Sequence, residues 1–186
     1  MNMDLRREEF IGTARKLFEE QGVDNVTITQ IARSAGVTRS LFYHYFPDKN
    51  AIIEAVIDDY ANDFMQQAEV WYQNFDKSNP RKSMRTIASL FKSYLVGNPG
   101  LGKASQRSDN ATLRQLFAVH VARSLSKRFE RQIKVLGDLS WTKDLSHPRE
   151  RYYILLIGLM SLASREPDIS DEVIADIVSD VMHFEL

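Results

Sequence analysis

Cysteine is absent from the 186 residues, and the chain contains only 8 glycines and 5 prolines. The absence of cysteine excludes disulfides, cysteine-ligated metal centres and thiol chemistry. The scarcity of glycine and proline leaves long segments without a helix breaker. No apolar run reaches the ~18 residues that a membrane-spanning helix needs, and the charged beginning MNMDLRREEF has no signal-peptide pattern. We therefore expect a cytoplasmic protein without membrane segments.

Catalytic signatures are also missing. The histidines are too scattered to form a metal site, and there is no G-x-S-x-G nucleophile turn. Residues 97–103 have the glycine and lysine spacing of a phosphate-binding loop, but Ala104 stands where that motif needs serine or threonine. The sequence therefore predicts no metal, no cofactor and no enzymatic activity.

Apolar residues recur at three- and four-residue spacing along most of the chain, which predicts an all-α protein of about nine helices. We expect an N-terminal three-helix domain, residues 1–48, followed by a C-terminal helical domain, residues 49–186. The predicted helices are Asp4–Gln21, one from Thr27 to the glycine at 36, Thr38–Tyr45, Asp48–Phe75, Arg81–Val96, a short one at Leu101–Arg107, Asn110–Leu136, His147–Ser164 and Ser170–Phe184.

The charge of the whole chain gives no simple indication of a nucleic-acid partner. Its net charge is −1 and its pI is about 6.4, whereas a pI above ~9 is the usual signature of a nucleic-acid-binding domain. The distribution of the charged residues along the chain is more informative. Between residues 25 and 49 the only acidic residue is Asp48, against the basic Arg33, Arg39 and Lys49. A local positive face on a nearly neutral protein is therefore possible, and so is an ordinary mixed surface.

Residues 27–45 have the pattern of a helix-turn-helix, with a helix, a glycine turn and a short second helix. The run TITQ at 27–30 is a capping box that predicts where the first of these helices begins. In the second helix, the spacing of Leu41, Phe42 and Tyr45 turns them inward. It leaves Arg39, Ser40, Tyr43 and His44 outward. The major groove of DNA admits one helix, and arginine can donate to guanine O6 and N7. On pattern alone, a helical hairpin without a DNA partner remains an equal alternative.

The same residues, TITQIARSAGVTRSLFYHYFPDK at 27–49, resemble the DNA-binding signature of the TetR (tetracycline repressor) family. The resemblance implies a dimeric repressor that binds an operator in double-stranded DNA and is released by a small-molecule effector. It implies phosphate contacts from Thr27, Tyr43 and Lys49, and base contacts from Thr38, Arg39, Ser40 and His44. Ser40, Leu41 and Phe42 depart from the commonest family residues, which leaves the operator sequence open. With the basic Arg33, the candidate DNA-binding residues are Thr27, Arg33, Thr38, Arg39, Ser40, Tyr43, His44 and Lys49.

Two further predictions concern the C-terminal domain. Residues 152–160 form the densest apolar run of the chain, and a helix that apolar is covered on more than one side. A homodimer interface is one explanation, and a hairpin packed in the core is the other. The candidate residues for the homodimer interface are Ile154, Leu155, Gly158, Leu162, Ile174, Ile177 and Val181. Large residues on inward stripes are candidates for an effector pocket, although plain core packing also explains them: Trp71, Tyr72, Phe75, Phe91, Tyr94, Phe117 and His120. Because these stripes carry little charge, an apolar or aromatic effector is preferred.

Two alternative functions remain open at this stage. A helical protein-interaction module would use the outward residues of 39–44 against another protein instead of DNA. An activator would make the same DNA contacts as a repressor, so the sequence does not distinguish the two.

Overall fold

The computed structural model describes residues 3–76, 78–93, 118–128, 146–166 and 168–182. Within these ranges the protein has eight helices and no strand, in agreement with the predicted all-α class. In chain order the helices are α1 (Met3–Gln21), α2 (Ile28–Ser34), α3 (Arg39–Tyr45), α4 (Lys49–Gln73), α5 (Pro80–Lys92), α6 (118–128), α7 (Pro148–Arg165) and α8 (Asp171–Met182). The short helix predicted at residues 101–107 lies outside the described residues.

Side chains fix the helix starts close to the predicted positions. Asp48 caps α4, because its carboxylate accepts a hydrogen bond from the Ala51 amide at 2.8 Å. Asn79 caps α5 by accepting from the Lys82 amide at 3.1 Å, so that helix begins one residue before the predicted start. The end of α4 was predicted too late: the helix ends at Gln73, and Asn74, in a turn, contacts the Val70 carbonyl through its side chain.

The chain divides into two compact units. Of the described residues, the first unit contains residues 3–60 and the second contains those from 61 onward. Helix α4 begins in the first unit and continues into the second. The domain boundary predicted at residue 48 remains a prediction.

Aromatic rings form the core of the first unit. Phe10 of α1 meets Phe42 of α3 edge to face at 5.5 Å between ring centroids, and Phe46 lies 5.6 Å from Phe42. All three are buried, as are Ile31 of α2 and Ile52 of α4. Aromatic pairs in these geometries contribute beyond the area they bury, by ~0.5–1.5 kcal/mol. The first three helices are thus held together by a few large, rigid side chains.

A glycine sets the turn between α2 and α3. Gly36 has φ +70°, in the left-handed region that favours glycine. Its amide donates to the Arg33 carbonyl at 3.1 Å, and the Val37 amide donates to the Ala32 carbonyl at 3.0 Å. This is the Schellman pattern, which satisfies the last carbonyls of a helix while turning the chain away. The turn predicted at this glycine is therefore present, and it delivers the chain to the start of α3.

A polar cluster joins α1 to the third turn of α4. The Arg15 guanidinium lies 4.1 Å from the centre of the Tyr60 ring and donates to Asp59 at 2.6 Å. The Tyr60 hydroxyl donates to Glu19 at 2.6 Å. Burial first, and then the hydrogen bond to Glu19, raise the pKa of Tyr60 far above its ordinary value. We refer to Arg15, Glu19, Asp59 and Tyr60 as the α1–α4 cluster.

The second unit is built on α8, which packs against both α5 and α7. Its inner side chains are mostly aliphatic, and Met84, Leu156 and Ile174 are almost completely buried. Ion pairs line one edge, where Arg81 donates to Glu172 at 3.1 Å and to Asp176 at 3.0 Å. Arg85 also donates to Glu172, at 3.1 Å. We refer to these as the α5–α8 ion pairs. No helix among the described residues is long and apolar enough to span a membrane.

Candidate nucleic-acid interface

Helix α3 has two different sides. Phe42 is fully buried, and Leu41 and Tyr45 are partly buried, as their spacing predicted. The opposite side carries the exposed residues Arg39, Ser40, Tyr43 and His44. The buried side chains attach α3 to the rest of the first unit. The exposed side chains of its outer face are therefore accessible to solvent and to a binding partner.

Arg39 and Tyr43 contact each other across one turn of this outer face. Arg39 Nη2 donates to the Tyr43 hydroxyl at 2.8 Å. The guanidinium carbon lies 5.4 Å from the centre of the Tyr43 ring, within the range of a cation–π interaction. The Tyr43 ring in turn meets buried Phe42 edge to face at 5.8 Å. A series of contacts therefore runs from the core to the guanidinium.

The two threonines predicted to contact DNA both cap helices. The Thr38 hydroxyl oxygen accepts from the Leu41 amide at 3.3 Å, which leaves its hydrogen to donate to another acceptor. The Thr27 hydroxyl accepts from the Gln30 amide at 3.2 Å and donates to Gln30 Oε1 at 2.8 Å. The predicted capping box is thus confirmed. A phosphate contact by the Thr27 side chain requires exchange of its Gln30 partner, whereas Thr38 needs no such exchange.

The basic candidates differ in exposure. Arg33, in the last turn of α2, is exposed, and Lys49 at the start of α4 is partly buried. Burial lowers the pKa of the Lys49 ammonium, and the negative charge of Asp24 partly offsets this effect. The His44 ring lies 5.4 Å from that of Tyr45, edge to face, and remains exposed. The electrostatic part of the surface therefore rests mainly on the two exposed arginines, Arg33 and Arg39.

The pocket candidates are only partly described. Trp71 and Phe75 are partly buried and meet edge to face at 5.5 Å, and Trp71 Nε1 donates to the Ser83 carbonyl at 2.7 Å. His120 on α6 is partly buried. The remaining candidates lie outside the described residues or side chains: Tyr72, Phe91, Tyr94 and Phe117. The effector pocket therefore remains a prediction.

The dimer candidates divide into inner and outer residues of the second unit. Leu155 and Ile174 are 5% and 2% exposed and pack inside the unit. Ile154 is 67% exposed, although it is a large apolar residue, and Gly158 on the same helix is exposed with open space around it. Leu162, Ile177 and Val181 are partly buried. An interface with a second copy would therefore use the outer residues and not Leu155 or Ile174.

Sequence reasoning missed two features of the first unit. The contact between Arg39 and Tyr43 has a readable signal, because residues four apart lie together on a helix surface. The α1–α4 cluster has none, since Arg15 and Asp59 are far apart in sequence and either could have been an exposed charge. In the part of the chain that is described, no group of histidine, aspartate and glutamate residues could hold a metal ion.

A family model matches the first unit. The model described as bacterial regulatory proteins of the tetR family matches residues 10–56, which include every candidate DNA-binding residue. The matched family consists of transcriptional regulators and not of enzymes. A curated relative, the HTH-type transcriptional regulator HbdR of Aromatoleum sp. (strain CIB), is 44% identical over 68 residues. That alignment covers 34% of this chain and 30% of HbdR, so the chain spans less than a third of that relative's length.

Solved structures are similar over almost the whole chain. A tetR-family transcriptional regulator from Streptomyces coelicolor has a TM-score of 0.56 at 23% identity, covering 97% of this chain and 80% of that one. RolR in complex with resorcinol has a TM-score of 0.67 at 18% identity, covering 97% and 87%. At these identities the similarity concerns the fold. The all-helical fold of this chain is therefore the fold of these two solved proteins.

Proposed function

We propose that this chain, whose residues 10–56 match the tetR family of bacterial regulatory proteins, is a sequence-specific transcriptional repressor. It binds an operator in double-stranded DNA and is released from it by a small-molecule effector. We place this activity in the cytoplasm, where operator DNA is accessible.

The observation that carries the proposal is the outer face of α3. Arg39, Ser40 and His44 are exposed there, while Phe42 anchors the opposite side in an aromatic core. Base edges are recognised by residues near the start of a helix that lies in the major groove, and Thr38 and Arg39 occupy that position. The exposed Arg33 is the second arginine of the helix-turn-helix segment, residues 27–45. A rigid helix with a polar outer face is what direct readout requires.

The protein is proposed to act as a homodimer. Two copies would present two α3 helices about one DNA turn apart, roughly 34–36 Å, and would read an inverted repeat. The proposed interface uses the outer residues Ile154, Gly158, Leu162, Ile177 and Val181. Single exposed apolar side chains are common on protein surfaces, but Ile154 lies within the apolar run at residues 152–160, which makes it the best single probe.

Release by an effector needs a connection between the two units. Helix α4 is continuous from Lys49 to Gln73, and its third turn is attached to α1 through the α1–α4 cluster. An effector bound in the second unit that favours a different placement of α4 would lower operator affinity. A coupling of 1–3 kcal/mol corresponds to about a 5- to 150-fold loss. Aromatic residues such as Trp71 and Phe75 favour an apolar or aromatic effector.

Selection of bound duplexes from a random DNA library tests the proposal. We expect enrichment of one inverted repeat, with half-sites about one helical turn apart. The enriched duplex then serves to screen effectors by release, beginning with small phenols, because RolR shares the fold and was solved with resorcinol. Failure to enrich any sequence would contradict the proposal and favour a helical protein-interaction module. Placing the operator upstream of a reporter gene distinguishes repression from activation.

A matched pair of substitutions tests the dimer. Ile154→Glu and Leu5→Glu each place a charge at a position that is 67% exposed, one in the second unit and one on α1. We expect Ile154→Glu to shift the protein to monomers in sedimentation, because a charge is costly in a desolvated interface. Leu5→Glu should leave the assembly unchanged. Dimers that persist equally in both variants would refute this interface.

A further inference from the structure

We propose that Tyr43 is a positioning residue that gives Arg39 its base specificity. The resemblance to the family assigns Tyr43 a contact with the phosphate backbone. The structure adds a contact of a different kind, because the Tyr43 hydroxyl accepts a hydrogen bond from Arg39 Nη2 at 2.8 Å. This inference rests on the proposed DNA-binding function and identifies a specificity determinant within it.

The geometry holds the guanidinium on two sides. Its Nη2 donates a hydrogen bond to the hydroxyl, and its central carbon lies 5.4 Å from the centre of the Tyr43 ring. The ring is itself fixed, since it meets Phe42 edge to face at 5.8 Å and Phe42 is fully buried. An arginine at an exposed helix position ordinarily samples many rotamers, and binding must select one of them. The contacts with Tyr43 restrict Arg39 to one rotamer before DNA binds.

The hydrogen-bond capacities of the two groups permit simultaneous contacts with DNA. A guanidinium has five N–H donors, so four remain after the bond to Tyr43, and reading guanine O6 and N7 uses two. A tyrosine hydroxyl that accepts from arginine still has its own hydrogen to donate to a phosphate oxygen. Donation and acceptance at one hydroxyl strengthen each other. Tyr43 can therefore link the phosphate contact to the base contact.

The test measures discrimination and not only affinity. Equilibrium affinities are determined for the selected operator and for duplexes changed at the one base pair that depends on Arg39. The proteins are wild type, Tyr43→Phe, Arg39→Ala and the double variant. Tyr43→Phe removes only the hydroxyl and keeps the ring. We expect it to lower the discrimination ratio about tenfold, which is the size of one charge-assisted hydrogen bond. In the Arg39→Ala background it should not change that ratio.

Tyr45→Phe is the matched control. It removes a hydroxyl from the same helix, at a partly buried position whose ring meets Phe10 at 5.6 Å. We expect the discrimination ratio to stay at the wild-type value. Thermal melts of all variants show whether they remain folded.

The outcomes separate this inference from the proposed function. If Tyr43→Phe weakens binding to every duplex by the same factor, Tyr43 contacts only phosphate and the inference is overturned. If the effects of Tyr43→Phe and Arg39→Ala on the ratio simply add, the two residues act independently and it is also overturned. If no duplex is selected by the wild type, the proposed function fails and this inference fails with it.

Discussion

The two units of the protein are stabilised by different kinds of contact. In the first unit, α1 and α3 meet through the packed rings of Phe10, Phe42 and Phe46, and α4 joins α1 through the partly buried α1–α4 cluster. In the second unit, α5, α7 and α8 pack through mostly aliphatic side chains, and the α5–α8 ion pairs are exposed. Rings with fixed edge-to-face geometry restrict the relative placement of helices more than flexible aliphatic chains do.

The difference fits what each unit is proposed to do. A reader of DNA must present its outer residues at fixed positions, because misplaced donors do not match the base edges. A unit that responds to an effector needs alternative arrangements of similar free energy, and exposed ion pairs add little to hold it in one of them. The substitutions below test this contrast, in order of decreasing expected effect.

The largest effect is expected at the aromatic core of the first unit. Phe42→Ala should destabilise it by about 3–5 kcal/mol, because a fully buried ring is lost and a cavity remains. Both tryptophans, Trp71 and Trp141, lie outside residues 1–60. We therefore expect an early thermal transition in far-UV circular dichroism that tryptophan fluorescence does not follow. Ser40→Ala, on the exposed side of α3, should leave both signals unchanged.

A single transition seen equally by both probes in Phe42→Ala would contradict the view that the units have separate cores. It would mean that the loss of the aromatic core unfolds the whole chain together.

The next largest effect on the free energy of unfolding is expected in the α1–α4 cluster, and it is compared with that of the α5–α8 ion pairs. Arg15→Met should lower the free energy of unfolding by about 1.5–3 kcal/mol, since hydrogen bonds to the partly buried Asp59 and Glu19 are lost. Arg81→Met should cost at most about 1 kcal/mol, because Arg81 and both of its partners are largely exposed. Urea denaturation of the two variants provides the measurement. Equal losses, or a larger loss for Arg81→Met, would remove the distinction between the two units.

A pair of glycines separates backbone strain from helix propensity within the first unit. Gly36→Ala should destabilise by about 1–2 kcal/mol, because a side chain is strained at φ +70°. Gly12→Ala should stabilise by up to about 1 kcal/mol, since Gly12 lies in α1 and an added methyl meets nothing within 4 Å. Thermal melts of the two variants measure these changes in stability. If Gly36→Ala does not destabilise the protein, the turn at Gly36 does not need a left-handed residue; if Gly12→Ala destabilises it, the helix-propensity argument for α1 is wrong.

A pH dependence is expected from Tyr60. Its pKa is raised in the folded protein, so the folded phenol stays protonated while an unfolded tyrosine ionises above about pH 10. The associated stability is complete below that pH and is lost as the pH rises further, by up to about 1.4 kcal/mol per unit. Denaturation of the wild type and Tyr60→Phe between pH 9 and 11 measures this. The stability advantage of the wild type should shrink with pH; a constant difference would argue against a protonated Tyr60.

The local structure of the first unit was largely predictable because its signals lie close together in sequence. The capping box at Thr27, the glycine turn at Gly36 and the cap at Asp48 each act within a few residues. The inward and outward sides of α3 followed from its spacing alone. The candidate DNA-binding face was therefore available from sequence, apart from the pairing of Arg39 with Tyr43.

Contacts between distant residues were not predictable from one sequence. Nothing near Arg15 indicates Asp59, and nothing near Arg81 indicates Glu172, since each pairing depends on how helices pack. The same limit applies to the dimer candidates. Periodicity identified the apolar helix α7 but did not distinguish Leu155, which is buried, from Ile154, which is exposed.

The central claim is that the outer face of α3 reads base sequence. The most direct test titrates the selected operator and a scrambled duplex with wild type, Arg39→Ala and Arg33→Ala at two salt concentrations. We predict that Arg39→Ala loses about 1–3 kcal/mol on the operator and little on the scrambled duplex, whereas Arg33→Ala affects both similarly. Wild-type binding should weaken steeply with salt. Equal affinity of the wild type for both duplexes, unchanged by Arg39→Ala, would contradict the account.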